Sequence, residues 1–315
     1  MNSNLSFQRG TEILRWAFPD LPMGCVSLLG EGWDSLALLV NDNFVFRIPQ
    51  RPAVARQMLK EIQVLEAVRS WVSVEIPKIE WIGPAYESFP VTAVGYRKLT
   101  GQSLSSLPSL ADSNSVRERV GQFLMELHGI PNSVLRGISV PWFRWTGDAD
   151  LPYPSSWKEG LEGFFQRTVE SIVPLLTQPT GQKAIRTFSN FLSEPAHFEF
   201  EPVLLHGDLA PEHILVDTVH DAIGIIDFGD CGLGDAAYDV WPELVPFYCK
   251  GADNRRNAGV NHKLDSRLDT SFCDRQQFYR KLAPLHDVLY GEMTDNAVLV
   301  ERGIDRIEEV FAKGD

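Results

Sequence analysis

The sequence predicts an α/β fold of the α+β kind in two lobes, an N-terminal antiparallel sheet with one helix followed by a mainly helical lobe. Three features predict it. Short, largely apolar runs at 26–29, 35–40 and 43–48 follow one another across turn residues. From Val54 the apolar spacing switches to a helical period. Beyond Leu110 long amphipathic patterns dominate, interrupted by one strand pair.

Asn41-Asp42-Asn43 suits the tip of a hairpin between the second and third strands, because these residues tolerate left-handed backbone. Val54, Met58, Leu65 and Val68 then share one helical face. Pro77 opens a strand region through Trp81-Ile82-Gly83, which 91–99 continues. The serine- and leucine-rich stretch 100–110 breaks the pattern, so the lobes are expected at 1–97 and 98–315. Helices are expected at 116–128 (Val120, Phe123, Leu124, Leu127), 157–176 and 183–192. The strand pair is 214–216 and 223–226, joined by the polar turn 217–221. The polar stretch 250–271 reads as a surface loop before two closing helices, 276–290 and 297–311.

A length of 315 residues, 44% of them hydrophobic, suffices for one two-lobed domain. Apolar runs such as 203–205 and 223–226 fall far short of the roughly 20 residues that cross a bilayer, so no membrane partner is expected. Residues 1–10 are polar and carry no basic-then-apolar leader pattern, which points to the cytoplasm. Cys25, Cys231, Cys249 and Cys273 form no C-x-x-C pair and read as reduced thiols. With 29 basic and 42 acidic residues, the net charge of −13 repels nucleic acid; it would suit a cationic small molecule, but by itself reads as a solubility charge, and a monomer is expected.

The strongest chemical signal is His206-Gly207-Asp208-Leu209-Ala210-Pro211-Glu212-His213 followed by Ile226-Asp227-Phe228-Gly229, one block beside each strand of the pair. Pairing those strands brings Asp208, His213 and Asp227 to one edge, where their donors can share a metal or a reacting hydroxyl. Phosphoryl transfer needs a carboxylate at the nucleophile and others on Mg²⁺. In kinases the catalytic Asp is followed five positions later by a metal-binding residue and then by Asp-Phe-Gly. The Asp208-to-His213 interval is the same, with His in place of Asn.

These blocks resemble the aminoglycoside phosphotransferase family over most of the chain. Gly224-Ile225-Ile226-Asp227-Phe228-Gly229-Asp230 is similar to the branch acting at the 2″ position of aminoglycosides, and Phe46-Arg47-Ile48-Pro49 to the macrolide phosphotransferases. The resemblance implies a protein-kinase-like fold with a nucleotide-binding lobe (1–97) and a catalytic, acceptor-binding lobe (98–315). It implies transfer of the γ-phosphoryl of ATP or GTP to a hydroxyl of an antibiotic, an aminoglycoside first. A macrolide, or a metabolic acceptor of the choline, homoserine or fructosamine type, is the alternative. Asp208 would orient or deprotonate the hydroxyl, and His213 and Asp227 would hold Mg²⁺. Imidazole is a soft ligand for magnesium, so His213 could instead bond Asp208 or a phosphate. His206 is expected to pack inward and fix the loop.

Leu29-Gly30-Glu31-Gly32-Trp33-Asp34-Ser35 would be the loop over the phosphates, with Gly30, Gly32 and Ser35 approaching the nucleotide. A tight turn with positive φ at Gly30 or Gly32 is the local alternative. No G-x-x-x-x-G-K-[ST] occurs, which excludes a P-loop fold. Arg47 stands where kinases keep the lysine that grips the α- and β-phosphates; Glu61, on the apolar helix face, would be its partner, with Lys98 as the fallback cation. Residues 94–99, including Tyr96, would form the hinge read by the nucleobase. Asp235 reads as a helix N-cap. Asp230, Asp239, Glu243 and Asp287 are candidates for gripping a cationic acceptor, although Trp241, Pro242 and Phe247 make that region more apolar.

Two other classes can be built from the same residues. His206-x-Asp208 with His286 has the form of a two-histidine, one-carboxylate iron site, which the helical second lobe opposes. A non-catalytic, pseudokinase-like binding module would explain Arg47 and His213, but Asp208 and Asp227 are both intact.

Overall fold

The computed structural model describes residues 3–248 and 271–312. Cys249 and most of the loop expected at 250–271 lie outside the described residues. Strands β1 (Val26–Glu31), β2 (Ser35–Val40), β3 (Phe44–Pro49), β4 (Ile79–Ile82) and β5 (Val94–Arg97) form an antiparallel sheet in the order β1-β2-β3-β5-β4. The β2–β3 hairpin turns at Asn41 (φ 51°) and Asp42 (φ 58°), the left-handed pair expected of these residues.

Alternation along β2 sends Leu36, Leu38 and Val40 to one face and Leu39 to the other. The first face packs against helix α1 (Ser3–Ala17), whose Leu14 is fully buried there with Phe46 and Ile48. The expectation of a single helix in this lobe is therefore corrected. The polar first residues obscured the helical spacing of Phe7, Thr11, Leu14 and Phe18. Helix α2 (Pro52–Val68) carries the expected buried row Val54, Met58, Leu65 and Val68, with Glu61 among them.

The chain leaves the sheet after Arg97, and β6 (Gln102–Ser103) pairs instead with β8 (Ile214–Asp217), itself paired to β9 (Ala222–Ile225). The hairpin read from the sequence is thus present. Glu75, beyond α2, bonds Ile225 N through its carbonyl at 2.9 Å, stitching the α2 exit to β9. A second pair that the sequence reading left out joins β7 (Val203–Leu205) to β10 (Gly232–Gly234).

Around these strands lie α3 (Asn114–His128), α4 (Asn132–Gly137), α5 (Trp157–Arg167), α6 (Gln178–Ser193), the short α7 (Ala236–Asp239), α8 (Phe272–Met293) and α9 (Ala297–Ala312). The helix expected over 157–176 ends at Arg167, continues as one π turn (Thr168–Ile172) and closes in a 3₁₀ turn containing Pro174, which lacks an amide donor. The core of this lobe is aromatic: Trp145 and Trp157 lie 4.5 Å apart by ring centroid, with Tyr238 and Tyr279 against both. Among the described residues no helix is long and apolar enough to cross a membrane.

Candidate active site

Strand β7 runs directly into His206-Gly207-Asp208. Gly207 has φ +86°, and a Cβ there would meet the Asp230 carbonyl, so the bend that presents Asp208 needs glycine. His206 is fully buried, as expected of an inward-packing residue. Its Nε2–H donates to Ile226 O at 3.1 Å and its Nδ1 accepts from Asp208 N at 3.3 Å, the pattern of one neutral tautomer. Burial pushes the ring down to about 4, which keeps it uncharged at neutral pH.

The turn Pro211–His213 then folds His213 back between the two carboxylates. Its Nδ1 donates to Asp208 O at 2.7 Å and lies 3.4 Å from Asp208 Oδ2; its Nε2 lies 3.7 Å from Asp227 Oδ2. Burial opposes the charged imidazole, but Asp227 and Asp208 together outweigh it and raise His213 above its ordinary range. The Asp208 carboxyl is also raised, chiefly by burial, with His213 working against the shift.

Asp227 sits just past β9 at φ +67°, a strained conformation for a residue other than glycine and a common mark of functional sites. Its Oδ1 accepts from Arg47 Nη2 at 3.1 Å. Arg47 Nη1 donates to both oxygens of Glu61, at 2.7 and 3.0 Å. The pairing of Arg47 with Glu61 follows the sequence expectation; the extension to Asp227 joins the sheet, α2 and the β9 exit in one network. Burial works against Asp227 ionising, yet Arg47 and His213 hold it below the usual carboxylate range. Burial likewise opposes the Arg47 charge, which Asp227 and Glu61 more than restore. Replacing Glu61 by Gln removes the counter-charge that the buried Arg47 bonds through both oxygens, and thermal denaturation should register a clear fall in Tm.

Three further α2 contacts were not foreseen. Gln57 Nε2 and Lys60 Nζ both donate to Gly229 O at 2.8 Å, and Lys60 Nζ also reaches Cys231 O at 2.6 Å. With Glu61 these residues occupy positions i, i+3 and i+4, so the polar stripe beside the apolar face was the available signal.

The loop between β1 and β2 is closed by Gly32 N to Ser35 O at 3.0 Å, and Gln50 Nε2 donates to Gly32 O at 2.7 Å. Gly30 and Gly32 are not among the glycines with positive φ, which overturns the tight-turn alternative; a Cβ at Gly30 would meet open space. Arg51 holds this loop down, pairing with Asp34 at 2.5 Å, with Asp150 of the other lobe, and lying 5.2 Å from the Trp33 ring. Tyr96 is buried and pairs with Val45 across β5 and β3, and burial raises its hydroxyl. Lys98 is exposed, its backbone N on Asn43 O at 2.8 Å, so the fallback cation is not needed beside Glu61.

A cavity of about 450 Å³ opens beside Asp208, with Tyr238, Trp241, Glu243, Tyr279 and Arg280 in its walls. Of the four acidic candidates Asp239 and Glu243 line this cavity, and Asp230 and Asp287 do not. Asp239 is buried and accepts from His206 N at 2.6 Å and Gly207 N at 3.1 Å, with His128 Nε2 at 3.3 Å, so it carries the catalytic loop. Asp287 pairs with Arg306 of α9. Asp230 accepts from Gln57 Nε2 at 3.0 Å, and burial with Asp208 nearby pushes it up to about 6. Asp235 caps α7 through Ala237 N at 3.1 Å, as expected.

The iron-site alternative fails on geometry. Both His206 nitrogens are used internally, His286 stacks on Phe164 at 4.5 Å, and among the described residues no group of three His, Cys, Asp or Glu side chains converges as a metal site.

Residues 26–270 match the model of the phosphotransferase enzyme family. The chain belongs to this family. It is a phosphotransferase with an alcohol group as acceptor, on a kinase-like fold. The GDP and kanamycin complex of aminoglycoside 2″-phosphotransferase IIIa superimposes with a TM-score of 0.77 at 25% identity, covering 98% of this chain and 99% of that one. Macrolide 2′-phosphotransferase type I gives 0.67 at 16% identity over 98% and 97% of the two chains. The macrolide 2′-phosphotransferase of Brachybacterium faecium gives 0.64 at 16% identity over 96% and 98%. These last two show likeness of fold alone.

Proposed function

We propose that this phosphotransferase moves the γ-phosphoryl group of ATP or GTP to a hydroxyl of an antibiotic-sized acceptor, working as a monomer in the cytoplasm. The observation that carries the reading is the convergence of Asp208 and Asp227 on the two nitrogens of His213, at 3.4 and 3.7 Å. Asp208 faces the acceptor cavity and takes the role of base toward the entering hydroxyl. Arg47, fixed by Glu61, faces the phosphates from the sheet side, and residues 94–99 meet the nucleobase. The GDP in the aminoglycoside 2″-phosphotransferase complex supports a purine nucleotide donor.

The residues fit Mg²⁺. His213 Nδ1–H is committed to the Asp208 carbonyl, so in the neutral tautomer the Nε2 lone pair faces Asp227 Oδ2, and the two form a pair of cation donors. Asp227 and His213 would hold the ion, with Asp227 as the oxygen donor that magnesium prefers. When bound, the ion would supply positive charge to offset that of the phosphates. Replacing Asp227 by Ala should abolish magnesium-dependent transfer from either nucleotide, measured as phosphorylated acceptor; transfer retained in that variant would overturn the assignment.

The likeness to the kanamycin complex supports an aminoglycoside acceptor. A second reading, a macrolide or another partly apolar acceptor, is favoured by the cavity itself. Tyr238, Trp241, Pro242 and Tyr279 supply its walls, while Asp239 and Asp287 are spent on other partners. Assaying aminoglycosides, macrolides and small amino alcohols with both ATP and GTP separates these acceptors.

A further inference from the structure

Helix α2 holds the segment after β9 in two ways. Glu61 fixes Arg47, which donates to Asp227 Oδ1 at 3.1 Å. The second hold lies beside it on the same helix. Lys60 Nζ donates to Gly229 O at 2.8 Å and to Cys231 O at 2.6 Å, both charge-assisted bonds. Gln57 Nε2 donates to Gly229 O at 2.8 Å and to Asp230 Oδ1 at 3.0 Å. Gly229 N in turn donates to the Asp227 carboxylate. Gly229 is therefore gripped by α2 through its carbonyl and bonds Asp227 through its amide. The packing there is close: a Cβ on Gly229 would lie 3.4 Å from both Asp227 Oδ1 and Gln57 Nε2.

Asp227 needs such a hold. At φ +67° its backbone persists only where the surroundings fix it, and its Oδ2 must keep facing His213 Nε2. Folding alone would explain an ammonium that satisfies two buried carbonyls. It does not require that the Lys60 and Gln57 donors converge on the one residue whose amide sets the Asp227 carboxylate. We propose that Lys60, with Gln57 beside it, is a positioning residue for Mg²⁺, acting through Gly229 to keep the Asp227 carboxylate aimed at the metal site. The ammonium is spent on the two carbonyls, so it acts from behind the donor. This rests on the reading of Asp227 as a metal donor given above, and goes beyond it in naming the side chains that support that donor.

The test uses the full chain as wild type, Lys60→Met and Gln57→Met, and measures by calorimetry the affinity for the imido analogues of ATP and GTP, once with saturating Mg²⁺ and once with EDTA. The readout is the ratio of the two affinities, which by linkage reports how tightly the nucleotide complex holds the ion. Removing a group that supports a metal ligand costs about 10–100-fold in metal affinity, so Lys60→Met should lower the ratio by about tenfold or more while affinity in EDTA stays within about twofold of wild type. Gln57→Met should shift it in the same direction by less. A merely structural role would weaken binding in both conditions and leave the ratio where it was, and an unchanged ratio in Lys60→Met overturns the proposal. If near-UV circular dichroism shows that Lys60→Met does not fold, the Gln57→Met ratio decides in the same way. A wild type whose nucleotide affinity is indifferent to Mg²⁺ is a different failure, that of the phosphotransfer reading itself, and it removes the proposal with it.

Discussion

Asp208→Asn should lower kcat for phosphoryl transfer by about 10²–10⁴-fold while leaving nucleotide affinity near wild type, because the amide keeps the shape of the side chain and removes its capacity to accept the hydroxyl proton. The bend at Gly207 and the two amides held by Asp239 are unaffected by that change, so the loop keeps its course. The pH profile gives an independent readout. Asp208 must be ionised to act as base, and burial raises its carboxyl, so the wild-type rate should climb as pH rises through that raised value. The Asn variant should lack the rise. A variant that keeps both wild-type kcat and the pH limb would remove Asp208 from the chemistry.

Arg275→Ala should be strongly destabilising. Arg275 is fully buried; its Nε donates to Asp235 Oδ2 at 2.5 Å and its Nη2 to Asp235 Oδ1 at 3.2 Å. Tyr279 donates its hydroxyl to Asp235 Oδ2 at 2.9 Å and receives Trp157 Nε1 at 3.0 Å. Truncating the guanidinium strands the Asp235 carboxylate in a nearly dry site, a loss of about 3–5 kcal/mol that denaturant midpoints would register. Arg117→Ala is the control. That arginine pairs with Asp112, whose side chain is 92% exposed, and its removal should leave the midpoint where it was. Equal midpoints for the two variants would mean that the buried network contributes nothing.

The parts of this molecule that were legible in the sequence are those where local chemistry and tertiary need agree. The hairpin at 214–226 announced itself by composition, and the five-residue interval from Asp208 to His213 gave the site its shape before any geometry was available. Glu61 was legible because a carboxylate on an apolar helix face requires a cation, and Arg47 was the nearest candidate in the adjoining strand. What escaped were partners set by distance in the chain. Nothing local distinguishes Asp239, which reaches back 33 residues to His206 N, from an acidic residue awaiting a substrate. Lys60 and Gln57 meet backbone carbonyls, which no side-chain pattern reveals. Helix α1 was missed because its apolar face is narrow and its first turn is polar.

The internal commitment of Asp239 divides the labour within a few residues. Asp239, the last residue of α7, gives its carboxylate to the His206 and Gly207 amides, while Trp241 and Glu243, just beyond the helix, line the cavity. One residue thus stands on both sides of the division, lining the cavity while its carboxylate is spent on the backbone behind it.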